Sequence, residues 1–524
     1  MHTEIYLDAN ATSPVLPAAL QAAQAALYSC FGNPSSSHAA GLRARALLDD
    51  ARSRARRVLG APDGRLLFTS GATEGIQTAV LSSLCAVRAR RAAGLPCGDL
   101  LLYGATEHKA VPESLAHWNA LLGTGLTLQA LPVDAGGRHR LDILRALAPR
   151  AALVCTMAAN NETGVVSDLD GIAAVLAESR SDALWMVDCV QALGKLPLNL
   201  TQSRIDYAPF SGHKLYAPKG IGMLYVREGA PYTPLMCGGG QEAGQRSGTE
   251  NMAGIAALGA VLRALEEGRS FRSHAQLAAA RARLAAALRA AFPGIVFNAP
   301  FEHALPTTLN FTVPGRSGKA LLDLFDAAGI RVSAGSACSS SKAAPSYVLL
   351  AMGLPEERCA NAVRMSFGPL ADDAFIDAAC ARIARCGEAL GAPPPAACPA
   401  TGSGFPADAP ALPAPAVSAK GLIPCGLDGG GLARFLDRHP DALLVDVREA
   451  CEHALGTPLL HGRAAYSLPL SRLPEHAAWL GRETRPLVFF CRSGSRSAQA
   501  AQLAQQLGHG NVRHLAGGLA LLAA

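Results

Sequence analysis

One segment governs how this chain can fold: between Gly391 and Lys420 runs APPPAACPATGSGFPADAPALPAPAVSA, with almost no charge and no hydrophobic period. Such a stretch reads as an interdomain linker, held partly extended by its prolines. It splits 524 residues into about 390 before it and about 100 after it, sizes that suit one large or two-lobed unit and one small domain. The expected boundaries are 1–390, a linker over 391–420, and 421–524. Half of the residues are hydrophobic and 17% are charged, so most of the chain can bury a core. The longest Ala/Leu-rich run, Ala275 to Ala291, is cut by Arg281, Arg283 and Arg289, which excludes a transmembrane helix. The start, Met1 to Tyr6, lacks the basic and apolar regions of a secretory signal, and a cytoplasmic location is expected. Fourteen scattered cysteines then read as reduced thiols, and without a C-x-x-C pair no structural metal is expected. The formal charge of +6 is small for this length. Arg52, Arg54, Arg56 and Arg57 read as a solvated helix face, so no nucleic-acid partner is expected.

In the large unit, short apolar runs alternate with amphipathic segments. Leu66–Thr69, Leu100–Tyr103, Ala151–Met157, Leu184–Asp188 and Met223–Val226 read as buried strands, which implies an α/β fold with a largely parallel sheet. In such sheets ligands bind beyond the carboxyl ends of the strands, so the residues that follow each run matter most.

After the first run comes Ser70-Gly71-Ala72-Thr73-Glu74-Gly75, a small-residue turn into a helix. Its free N–H groups suit a phosphate, and a turn capped by Thr73 fits equally well. Thr106-Glu107-His108-Lys109, Asp188-Cys189-Val190-Gln191 and Ser211-Gly212-His213-Lys214 occupy equivalent places. Singly, Asp188 suits a helix cap, His108 a core histidine and Lys214 a surface lysine. Together, a cofactor with an aromatic ring, a basic ring nitrogen and a phosphate explains the set, and pyridoxal 5'-phosphate is that cofactor. Lysine supplies a Schiff-base amine, a carboxylate keeps the ring nitrogen protonated, and an imidazole stacks on the ring face.

These strings, with Asn160-Asn161-Glu162-Thr163-Gly164, Arg246-Ser247-Gly248-Thr249, Tyr6-Leu7-Asp8, Gly32-Asn33-Pro34 and Arg364-Met365-Ser366-Phe367-Gly368, resemble the cysteine desulfurase family of class V aminotransferase-like enzymes. The resemblance spans essentially the whole first unit. It implies a pyridoxal-phosphate fold of type I, with a large mostly parallel domain and a smaller C-terminal lobe. By it Lys214 forms the Schiff base, Asp188 faces the pyridine nitrogen, and His108 stacks and shuttles protons. Asn161 and Gln191 sit near the ring hydroxyl. Ala72, Thr73, Ser211 and His213 bind the phosphate, Thr249 reaches the phosphate of the other subunit of a homodimer, and Arg364 with Asn161 receives the substrate carboxylate. Cys338, inside Ser333-Ala334-Gly335-Ser336-Ala337-Cys338-Ser339-Ser340-Ser341, is the implied nucleophile that takes sulfur from cofactor-bound cysteine and leaves alanine and an enzyme persulfide. Small residues around it predict a mobile loop that buries little, and Pro345 to Leu349 resembles the subgroup with the longer catalytic loop. Cys189 stands where the family usually has alanine and Ala334 where it often has serine. Gly318-Lys319 lacks the rest of a phosphate loop and reads as a helix start.

In the small domain, Leu443–Val447 and Leu487–Phe490 read as strands, the second running into Cys491-Arg492-Ser493-Gly494-Ser495-Arg496. Backbone N–H groups of that loop, with its arginines, suit a thiolate or persulfide anion. Together with Asp446-Val447-Arg448-Glu449 and Leu515-Ala516-Gly517-Gly518, the loop resembles the single-domain rhodanese sulfurtransferases, in the short form associated with sulfur rather than phosphate. The terminal helix is expected to be short.

The combined expectation is that L-cysteine is converted to L-alanine with a persulfide on Cys338. Sulfur then passes to Cys491 and on to an acceptor protein, for iron–sulfur cluster assembly, tRNA thiolation or cofactor thiolation. Tethering raises the effective concentration of one thiol near the other to the order of millimolar. Rival readings are a selenocysteine lyase, a transaminase of the same fold, and a small domain that only docks a carrier.

Overall fold

The computed structural model describes residues 4–334, 344–391 and 425–522. The expected linker therefore lies outside the described residues except at Gly391, which is the last residue of the helix Asp373–Gly391. Cys338 lies outside them as well.

All five expected strands of the large unit form, as Arg65–Thr69, Leu100–Gly104, Ala151–Met157, Leu184–Asp188 and Gly222–Val226. Tyr207–Ser211 and Thr127–Leu131 complete a seven-stranded sheet. From one edge its order is Arg65–Thr69, Gly222–Val226, Tyr207–Ser211, Leu184–Asp188, Ala151–Met157, Leu100–Gly104, Thr127–Leu131. Gly222–Val226 runs antiparallel to both of its neighbours and the other pairings are parallel. Its orientation was not readable from the sequence, because an apolar run buried on both faces carries no sign of direction. The glycine that opens this strand is needed for close approach: a Cβ at Gly222 would lie 2.4 Å from the Phe210 carbonyl oxygen and 2.7 Å from Cα of Gly71.

A second lobe holds an antiparallel sheet of Ser333–Ala334, Val363–Ser366, Thr308–Thr312 and Val296–Phe297. The helices His274–Ala291, Gly318–Ala327 and Asp373–Gly391 cover a core in which Phe325 meets Phe292 and Phe311 edge to face. Ser317 caps the helix at Gly318, as expected for a helix start. The N-terminal strand Ile5–Tyr6 pairs with Ile330–Arg331 of this lobe, and the chain then crosses toward the large sheet. Asn10 stands at the crossing: its N–H donates to Ser366 Oγ, and its Nδ2 donates to Thr308 Oγ1 and the Asn161 carbonyl.

The third unit is a five-stranded parallel sheet in the order Gly426–Leu427, Val512–Leu515, Leu487–Phe490, Leu443–Asp446, Tyr466–Ser467. Leu487 and Phe489 face one buried cluster and Val488 and Phe490 the other, so both faces of the sheet are covered. Its last helix, Gly518–Leu522, is five residues long. The short helix Ala450–Ala454 packs on Gly318–Ala327 and Asp373–Gly391 of the second lobe, and Cys451 and Leu455 add to that lobe's core. No helix among the described residues is long and apolar enough to cross a membrane.

The arginine cluster departs from expectation. Arg52 is paired with Glu242, Arg54 and Arg57 share Glu266, and Arg56 donates to the carbonyls of Pro62 and Gly64. These side chains bind the chain to itself instead of forming only a solvated face, because neighbouring segments supply their acceptors.

Candidate active sites

Strand order brings the first set of residues to one edge. Asp188 and Ser211 end adjacent strands, Lys214 sits in the turn Gly212–Lys214 just beyond, and His108 and Asn161 follow the next two strands of the sheet. Lys214 Nζ donates to the carbonyls of Asn10 and Ala11 at 2.8 and 2.7 Å. Two residues on, Tyr216 holds a left-handed backbone at φ +58°. It is secured by its N–H on Ser13 Oγ at 2.6 Å and by the Leu370 N–H on its hydroxyl. Backbone strain of this kind persists only where its surroundings impose it, here beside the lysine.

Asp188 is buried and accepts the Val190 N–H through Oδ1 at 2.9 Å. Burial raises its pKa, against the pull of that N–H, His108 and Lys214. His108 accepts the Ala110 N–H on Nδ1, and burial, assisted by Lys214 and Lys109 and opposed by Asp188, lowers its pKa, so the ring is held neutral. His213 shares a hydrogen bond with Thr12 and is pushed down to about 4 by burial and the neighbouring lysines.

The helix Ala72–Ala92 starts at Gly71 without a side-chain cap. Thr73 lies inside its first turn, which overturns the reading of Thr73 as the cap and leaves that turn's N–H groups for an anion. Glu74 accepts the Ser70 N–H and pairs with Arg246 at 2.9 Å, tying the Arg246–Thr249 segment to this helix start; Thr249 itself is exposed. Arg364 is 2% exposed, with Nη2 on Asp8 at 2.6 Å and on Ser333 Oγ, and Nη1 on the Asn161 carbonyl. Its Nε and the Oδ1 of Asn161 are buried with no hydrogen-bond partner among the described residues. Unpartnered buried groups beside a lysine, a buried carboxylate and an uncapped helix start fit a polar, phosphate-bearing cofactor.

Several residues of this site escaped the sequence reading. Lys195 is buried and donates to Gln191 Oε1 at 2.7 Å and Asn10 Oδ1, which turns Gln191 Nε2 onto the Asn10 carbonyl. Its amine is pushed down to about 7 by burial, Lys214 and Arg364. Glu107 is buried, and burial and Asp188 drive its carboxyl well above the usual range. Glu162 accepts Ser346 Oγ at 2.6 Å and is pushed up to about 7 by burial. A charged residue inside an otherwise apolar segment was the available signal for Lys195, whereas Glu107 and Glu162 lie in polar strings that do not set them apart. Cys189 is fully buried, and burial with Asp188 raises its thiol pKa, so its packing makes it inert.

The second site is local. Cys491 Sγ accepts the N–H groups of Gly494 at 3.2 Å and Ser497 at 3.4 Å. Gly494, at φ +90°, turns the loop into the helix Ser495–Gln506. Gly518 is left-handed at φ +60°, and a Cβ there would lie 2.4 Å from the Cys491 carbonyl oxygen. The N–H groups of Leu519 and Ala520 donate to the carbonyls of Cys491 and Arg492, so the glycine pair holds the back of the loop. Asp446 is buried, which works against its charge, but His453 and Arg448 outweigh burial and hold it below the usual range. Arg496 lies near enough to Cys491 to interact with its charge, but the hydrogen bonds of both loop arginines go to carboxylates. Arg496 is bonded to Glu452 at 2.5 and 3.0 Å, and Arg492 to Asp323 and Asp326 of the second lobe, because these carboxylates are stronger acceptors within reach.

Residues 5–378 match the Aminotransferase class-V family model and residues 432–524 the Rhodanese-like domain. A cysteine desulfurase of Gluconacetobacter diazotrophicus is 40% identical over 375 residues, covering 71% of this chain and 90% of that protein. The cysteine desulfurase NifS of Azotobacter vinelandii is 37% identical over 378 residues, covering 71% and 90%. A solved NifS-like protein superposes with a TM-score of 0.65 at 32% identity, covering 74% of this chain and all of that one. SspA in complex with cysteine gives 0.60 at 28% identity, covering 70% and 99%. The cofactor of this family is pyridoxal 5'-phosphate, which agrees with the residues gathered around Lys214. A lysine, a buried carboxylate and an uncapped helix start at one sheet edge, followed by a cysteine cradled in backbone N–H groups, place the chain in the aminotransferase class-V family with a C-terminal rhodanese-like domain.

Proposed function

We propose that the chain is a pyridoxal-phosphate-dependent cysteine desulfurase whose sulfur passes from Cys338 to Cys491 and then to an acceptor protein. The observation that carries this reading is the convergence of Lys214, Asp188, His108, Asn161 and Arg364 at one sheet edge, in a chain whose relatives are named cysteine desulfurases. Lys214, Asp188, His108, Gln191 and Asn161, with Ala72, Thr73, Ser211 and His213, would hold the cofactor. When bound, it supplies an electron sink that weakens bonds at the substrate α-carbon. His108, held neutral by burial, accepts and returns a proton. Arg364 fixes the substrate carboxylate while Asp8 and Ser333 fix Arg364. Cys338 then receives the sulfur: L-cysteine and the thiol become L-alanine and a persulfide, with no external oxidant. Thr249, exposed and tied through Arg246 to the helix start, is assigned to the phosphate of a second subunit in a homodimer. The division into 1–390, 391–420 and 421–524, and the cytoplasmic location, stand as parts of this reading.

The test is mass spectrometry of the protein after exposure to L-cysteine, in the parent and in Cys338→Ser. Persulfide on Cys338 and Cys491 in the parent, with Cys491 bare in the variant, supports the relay. Cys491 bare in both, with Cys338 loaded in the parent, leaves the small domain as a docking module. That second reading draws on one observation, the engagement of the Cys491 loop's arginines by carboxylates of another domain.

A further inference from the structure

The helix Gly318–Ala327 buries Leu321, Leu324 and Phe325 in the second lobe and turns a different face, carrying Asp323 and Asp326, toward the Cys491 loop. Three residues apart on a helix, the two carboxylates lie side by side. Arg492 spans them, with Nη1 3.2 Å from Asp323 and Nε 2.8 Å from Asp326, and Arg496 reaches Asp323 at 3.5 Å. Asp323 is only 8% exposed, unusual for a charged residue outside a catalytic centre, while Cys491 is buried in the small domain's own core beneath the loop.

The contact is built to release. On separation Asp323 keeps Lys319 at 2.8 Å, Asp326 keeps Arg331 at 2.5 Å, and Arg496 keeps Glu452. Of the ion-paired groups Arg492 alone loses its partners, and its side chain is already a third exposed, so water replaces them at little cost. The apolar part is small, Cys451 and Leu455 with the Leu455 carbonyl on Arg385. An interface of charged pairs over a narrow apolar seam weakens with salt, unlike a permanent domain core.

We propose that the face of the Cys491 loop is a docking site for a helix-borne pair of carboxylates. The chain's own Asp323 and Asp326 fill it in the closed arrangement, and a sulfur acceptor gains access by presenting an acidic helix that displaces them. Residues 392–424 join the two parts covalently.

The experiment is alkylation of Cys491 by iodoacetamide, followed by peptide mass spectrometry, in the full-length parent and in Asp323→Asn/Asp326→Asn. It needs no turnover, so it stands apart from whether L-cysteine is the substrate. The variant should react roughly tenfold faster, as expected for losing partly buried ion pairs, and the parent should accelerate as sodium chloride rises. Equal rates in parent and variant, with no response to salt in the parent, would overturn the proposal. Salt titration of the parent keeps it falsifiable should the variant fold poorly.

Discussion

The two sites reach similar ends by opposite construction. The Cys491 cradle comes from one continuous stretch, strand to loop to helix, braced from behind by Gly517 and Gly518. The Lys214 site draws on segments more than 350 residues apart, from Asp8 and Asn10 to Arg364 and Ser366. Backbone N–H groups ordered by local turns can build a sulfur cradle alone. Holding a ring, a phosphate and a carboxylate at once takes side chains from two lobes, and so depends on how those lobes meet.

The comparison can be broken first at the distributed site. Lys214→Ala should reduce alanine formation from L-cysteine by roughly three orders of magnitude or more, while Cys491 alkylation stays as in the parent. A matching loss of Cys491 protection would show that the two sites are one cooperative unit. Arg364→Lys should lower kcat/KM by about a hundredfold, since a point charge cannot serve Asp8, Ser333 and a substrate carboxylate together. An unchanged KM would move the carboxylate site elsewhere.

Gly518→Ala sharpens the local side. With a left-handed backbone and a Cβ contact of 2.4 Å, the substitution should destabilise the small domain by about 3 kcal/mol, read as an early unfolding transition, with alanine formation retained. The smallest effect concerns Glu162, whose carboxyl stands at about 7 against an ordinary 4.5. Its proton is held in the folded state and lost from the unfolded chain between those values. Its favourable contribution is therefore complete below pH 4.5 and disappears as pH rises through 7. Glu162→Gln should flatten that decline, on the order of 2 kcal/mol, in urea denaturation from pH 4.5 to 8. A decline of unchanged slope would assign it to other groups.

Much of the architecture was legible because burial on both faces of a sheet demands unbroken apolar runs, and Ala151–Met157 and Leu184–Asp188 form with the expected limits. Thr73 suited a cap and a phosphate-binding turn equally because capping residues are also good first-turn residues, and only the backbone at Gly71 separates the two. Lys195, Asn10 and Glu162 were missed because their meaning lies in partners from remote segments.

By itself the sequence determined five of the seven strands of the large sheet, the residue types at their carboxyl ends and the strand running into the cysteine loop, since each follows from periodicity or local turn chemistry within a few residues. Only the tertiary structure decided that Gly222–Val226 runs antiparallel, that Asp8 holds Arg364, and that Asp323 and Asp326 take the arginines of the Cys491 loop. Those outcomes depend on which distant groups come within hydrogen-bonding reach, and distance along the chain carries no record of that.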